Sequence, residues 1–208
     1  MTSKRSLVRR TAAVAASAAA ALVLAACGGN GDSSAGHDGH SKESPSAPAS
    51  ATQGQQNAAD VAFAKGMIPH HRQAVEMADL APSRAGSAEV KTLAEQIKKA
   101  QDPEIKTLSG WLTSWGEEVP AKGAMDHSEH GMSGMMTAEE MDRLKGSSGK
   151  AFDTAFMEMM IKHHEGAVSM AETEKADGSY EPAKKMADAI ITSQTAEITQ
   201  MNELLGRN

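Results

Sequence analysis

Two adjacent histidine pairs stand in nearly the same company, "MIPHH" at residues 67–71 and "MIKHH" at residues 160–164. Around the first, Phe63, Met67, His70, Ala74 and Met77 are spaced 4-3-4-3; around the second, Phe156, Met160, His163, Ala167 and Met170 repeat the spacing. This is the apolar seam of a bundle helix. His70 and His163 therefore belong on the seam, with His71 and His164 about 100° further round. Imidazoles together with thioethers suit copper, Cu(I) through sulfur and either oxidation state through nitrogen, far better than they suit Mg²⁺ or Ca²⁺. Zinc is a second candidate on the histidines alone. The competing reading is packing, because methionine fills core gaps and a single histidine on an apolar face is usually a satisfied buried one. Two copies of an adjacent pair weigh against it, since burying several imidazoles is costly unless each has a hydrogen bond or a metal. Met67, His70, His71, Met77, Met160, His163, His164 and Met170 are thus the candidate ligands.

The elements that must position them come from an internal repeat. Residues 60–112 laid over 153–205 at an offset of 93 match at Asp60, Ala62, Phe63, Met67, Ile68, His70, His71, Ala74, Val75, Met77 and Ala78. The later part keeps register more weakly, with Lys91, Ala94, Ile97, Gln101, Glu104, Ile105 and Leu112 matching Lys184, Ala187, Ile190, Gln194, Glu197, Ile198 and Leu205. Each unit reads as helix, short break, helix, with breaks at Pro82–Ser87 and Ala176–Tyr180. Neither αα-hairpin can hide its own apolar face, so the expected fold is all-α, an antiparallel four-helix bundle of two repeated hairpins. Glu104 and Glu197, with Gln101 and Gln194 nearby, are candidates to fix the imidazole tautomers from outside, against the plainer reading of solvated helix carboxylates.

The hairpins are joined by a crossover over residues 119–149. Thr137 and Glu140 form a capping box that predicts a short extra helix to about Lys145, ended by Gly146 and Gly149. Before it, Met125, His127, His130, Met132, Met135 and Met136 crowd into twelve residues. Either this stretch captures copper or its methionines dock on the bundle.

Composition agrees with helices. The 208-residue chain has three Phe, two Trp and one Tyr against 14 Met, leaving little from which to build sheets. One folded domain is expected over 59–207. Residues 1–26 have a basic start and an apolar, Ala-rich run, a secretory signal too short to span a membrane. "LAAC", ending at Cys27, resembles a bacterial lipobox and makes Cys27 the expected lipidation site, with Arg9 and Arg10 leaving the export route open. Residues 27–58 then read as a disordered tether, in which His37 and His40 are expected to be solvated. Removing the signal also removes Lys4, Arg5, Arg9 and Arg10 and takes the net charge from −6 to −10. An acidic domain without a basic patch is a poor nucleic-acid binder. With one cysteine, neither an internal disulfide nor a thiolate cluster can form.

"FMEMMIKHHEGAVSMAE", its partner "FAKGMIPHHRQAVEMAD" and the later "SQTAEI" resemble the CopM-like family, also called domain of unknown function 305, over about Asp60 to Leu205. The resemblance implies a ferritin-like bundle and, from characterised relatives, copper binding outside the cytoplasm with a role in copper tolerance. By motif it carries over to Met67, His70, His71 and Met77 and to Met160, His163, His164 and Met170. Pro69 departs from the pattern where the second repeat has Lys162, and is expected to kink its helix and displace the first site.

The leading expectation is a lipoprotein on the outer face of the cytoplasmic membrane that binds copper, Cu(I) or Cu(II), and buffers or delivers it. An interaction module with packed or pH-sensing histidines is one rival. A metal oxidase is the other, disfavoured because di-iron bundles present Glu-x-x-His on their helices and neither helix has that spacing before its pair.

Overall fold

A computed structural model describes residues 55–122 and 133–207. The leader, Cys27, the tether to Gly54, and Met125, His127, His130 and Met132 lie outside the described residues. The chain is all-helical there: α1 (Ala58–Arg84), α2 (Ala88–Ser114), α3 (Ala138–Gly146), α4 (Gly149–Asp177) and α5 (Glu181–Leu204).

Local sequence explains where the helices begin. Asn57 caps α1 in a capping box with Asp60, its side chain accepting from the backbone N–H of Ala59 at 2.8 Å. Ser87 caps α2, and Thr137 with Glu140 forms the box that starts α3. Pro182 sits in the first turn of α5, where a missing N–H costs nothing. The breaks are shorter than the repeat suggests, 85–87 and 178–180, because α1 continues through Pro82 to Arg84 and α4 through Ala176 to Asp177. Pro69 does not interrupt α1 either. Each proline removes one backbone bond, but Met67, Ile68, His70, His71 and Ala81 around them are fully buried, and that packing holds the helix.

α1 packs on α2, α4 on α5, and the two hairpins meet through α1 and α4. A reciprocal clasp shows these two helices to be antiparallel. Asp60, at the start of α1, accepts from Ser179 N–H at 3.1 Å and Tyr180 N–H at 2.9 Å in the turn after α4. Asp153, at the start of α4, accepts from Gly86 N–H and Ser87 N–H, both at 2.9 Å, in the turn after α1. All these positions correspond at the offset of 93, so each hairpin caps its twin's turn.

The core has two apolar clusters. One gathers Ala74, Met77, Ala78 and Ala81 of α1, Val90 to Ile97 of α2, Met141 and Leu144 of α3, and Phe152 to Met160 of α4. The other gathers Phe63 to Ile68, Leu108 and Leu112, Ala167 and Ala171, and Ala183 to Ile190. Between them every long helix contributes buried polar side chains: His70, His71 and Gln73 from α1, Gln101 from α2, His163 and His164 from α4, and Gln194 from α5. The bundle therefore carries a polar belt across its middle.

Candidate metal centre

At the centre of the belt the seam positions bring His70 against His163, ring centroids 3.7 Å apart and planes tilted by 42°. α1 runs unbroken through Pro69, and His70 still reaches His163 across the bundle. All four histidines are 0% exposed. His71 and His164, a residue further round, turn outward to the second helix of their own hairpins. His71 Nε2 lies 2.8 Å from Glu104 Oε2, and His164 Nε2 lies 2.5 Å from Glu197 Oε2.

These contacts fix which nitrogen carries the proton. A carboxylate only accepts, so the neighbouring Nε2 must donate. The same holds for His70, whose Nε2 donates to the Ser133 carbonyl at 3.2 Å. The Nδ1 atoms of His70, His71 and His164 are buried and unpartnered, as are both ring nitrogens of His163. A buried polar atom without a partner costs about 1–3 kcal/mol, so a set of them is an expensive way to fill a core. Gln101 has both amide atoms unpartnered, and Gln194 its Oε1.

The facing rings are held neutral. Burial, then the nearby His71, and then His164 push His70 down to about 3, against the Ser133 carbonyl. Burial and then the other three histidines push His163 well below its ordinary value. Neutral imidazoles are ready ligands and carry no charge change near neutral pH.

The methionines flank this belt. Met67 is buried in one apolar cluster and Met77 and Met160 in the other, while Met170 is half-buried against the first of these. Met136 is buried under the α3 end of the bundle and Met135 is half-buried. Among the described residues, no three His, Asp or Glu side chains are gathered around one point.

Sequence reasoning passed over the residues that bring the crossover onto the belt. Ser133 and Gly134 lie on α4 at Gly166, where a Cβ would stand 1.9 Å from the Ser133 oxygen. Gln73 Nε2 donates to the Met136 carbonyl at 2.8 Å, and Met136 N–H donates to Gln73 Oε1 at 2.7 Å. Gln73 and Gly166 occupy matching repeat positions, and their mismatch between two otherwise similar helices is the signal the sequence offers.

Fold and belt together define a class: two fused αα-hairpins closed into an antiparallel bundle, with imidazoles facing one another between its apolar halves. The chain belongs to the family described as Domain of unknown function (DUF305), whose sequence model matches residues 60–205. Among solved structures it is similar to a DUF305 protein from Streptomyces coelicolor at 34% identity and a TM-score of 0.65, over 71% of this chain and 92% of that one. It is similar to the Cu(II)-bound form of CopM at 36% identity and a TM-score of 0.62, over 70% and 94% of the two chains. A DUF305 fragment from Deinococcus radiodurans follows at 27% identity and a TM-score of 0.65, over 73% and 98%. No curated protein matches.

Proposed function

We propose that this protein binds copper at the histidine belt, outside the cytoplasm, and buffers or delivers it without turning over a substrate. The observation that carries the reading is the His70–His163 contact, with neutral rings and unpartnered nitrogens at the meeting point of two repeats. A donor set of imidazoles flanked by thioethers favours soft or borderline ions. CopM, the similar bundle, is known in Cu(II)-, Cu(I)- and Ag-bound forms. Two imidazoles sharing an ion at about 2.0–2.1 Å from each nitrogen stand further apart than 3.7 Å between ring centres. Loading therefore swings at least one ring, with the Glu104 and Glu197 contacts steadying the outer pair. The basic, apolar leader and Cys27 support export and a lipid anchor on the outer face of the membrane.

Anaerobic Cu(I) titration against a competing chelator, and Cu(II) titration in air, test the proposal on the parent and on the His70→Leu/His163→Leu pair. The expected result is at least tenfold weaker binding in the variant with its helical content unchanged. Equal affinity sinks the belt as the site. Oxygen uptake in the presence of Cu(I) or Fe(II), above that of the free ion, would instead favour an oxidase. The pH-sensing reading is opposed by the neutrality of the facing pair.

A further inference from the structure

The four imidazoles are not held alike. His71 and His164 each meet a carboxylate from their own hairpin at equivalent positions, whereas the repeat supplies no such partner to the seam residues. His163 has none, and both of its nitrogens are unpartnered. His70 is the exception, and its partner comes from outside the repeat: the backbone carbonyl of Ser133, at 3.2 Å.

That carbonyl is where it is because of two residues that break the repeat at one position. On α4 the position is Gly166, and the strap formed by residues 133–136 lies directly on it; a Cβ there would be 1.9 Å from the Ser133 oxygen and 3.0 Å from the Gly134 Cα. Gly134 completes the seat with φ +83°, a conformation that favours glycine, and a Cβ on it would stand 2.5 Å from the Lys162 carbonyl. On α1 the position is Gln73, whose amide pairs in both directions with the backbone of Met136, as one strand would pair with another. One repeat supplies the seat and the other the latch.

We propose that Gln73 is a positioning residue for His70: by latching the strap over Gly166 it holds the Ser133 carbonyl on His70 Nε2, so that the ring presents a lone pair at Nδ1. The inference rests on the copper reading only in giving that lone pair its use. Without the latch, His70 would resemble His163, with neither nitrogen tied and both tautomers open to it. The strap also makes the two facing rings chemically unequal, His70 being tied at Nε2 by the Ser133 carbonyl and the ring nitrogens of His163 meeting no part of the strap.

The test is long-range ¹H–¹⁵N NMR of the metal-free full chain labelled at histidine, which reports the tautomer of each ring, on the parent, Gln73→Ala and Gly166→Ala. Gly166→Ala displaces the strap while placing a better helix former in α4, so it guards against a variant that merely fails to fold. In the parent, His70 is expected as the Nε2–H form. In both variants that preference is lost, while His164, held by Glu197, keeps its own. Copper affinity is expected to fall about tenfold or more, the usual size for losing such a partner. An unchanged His70 tautomer in both variants overturns the inference even where copper binds. A shifted tautomer in a protein that binds no copper leaves the positioning standing and removes the copper reading instead.

Discussion

Glu174 breaks the repeat as plainly as Gln73 does, for it stands where the first unit has Ala81. Its side chain is 1% exposed, and its carboxyl lies beside that of Asp60. Burial, then the Asp60 carboxyl beside it, push Glu174 up to about 8, against the pull of Lys184. Burial works against the Asp60 charge too, but the N–H groups of Asn57, Tyr180 and Ser179 and the neighbouring Glu174 outweigh it and keep Asp60 below its usual value. The pair therefore holds one proton at neutral pH. The sign for stability follows from which state holds more protons. Between pH 4.5 and 6.5 the unfolded chain protonates His70 and His163 while the fold refuses both, and the fold keeps one proton on Glu174 that the unfolded chain has lost. Two outweigh one, so stability rises with pH. Above 6.5 the fold still keeps the Glu174 proton that the unfolded chain lacks, and that contribution lowers stability by about 1.4 kcal/mol per pH unit until Glu174 ionises. The metal-free protein is expected to melt highest near pH 6.5 in thermal scans from pH 5 to 9. Glu174→Gln should raise the melting temperature by an amount that grows with pH; a gain independent of pH would refute the assignment. At the belt, His70→Leu/His163→Leu is expected to keep or raise the metal-free melting temperature, because it exchanges unpartnered buried nitrogens for apolar surface.

Among the elements, the two aspartate clasps tie the hairpins together at opposite ends. Asp153→Ala leaves the Gly86 and Ser87 N–H groups without their acceptor, and a loss of about 1–3 kcal/mol is expected. Urea unfolding monitored by circular dichroism measures it, and a change under 0.5 kcal/mol would mean that water replaces the carboxylate at no cost. Much at this scale was legible beforehand. The 93-residue offset marked four helices, the 4-3-4-3 spacing set which faces turn inward, and Thr137 with Glu140 announced α3. The first break begins later than Pro82 suggests, because the local rule that proline ends a helix is overridden by burial of Ala81 and by the turn that Asp153 closes. Neither clasp was legible, since each joins residues more than sixty positions apart whose only mark in the sequence is Asp60 matching Asp153.

On the scale of the molecule, the fold is two apolar halves separated by a polar belt, and the belt is the part that stability alone does not explain. Its seam histidines could be placed from spacing and its duplication from the overlay. The strap could not, because Ser133, Gly166 and Gln73 meet only once the hairpins have closed. Because each apolar cluster is built from residues of both hairpins, neither hairpin can close a core of its own, and each alone should be largely unfolded. Residues 55–122 and 133–207 made separately are expected to give weak helical spectra that strengthen sharply on mixing. Full helicity in either half alone would count against the mutual dependence. The same clasp speaks to history. A lone hairpin carrying the Asp60 or Asp153 residue has an acceptor it cannot turn on itself and a turn whose amides it cannot cap, yet two identical copies answer each other completely. The present chain is in that sense a dimer written as one sentence. Its halves are nonetheless not identical, and Gln73 matched by Gly166 and Glu174 standing where the first unit has Ala81 are two of the places where they differ.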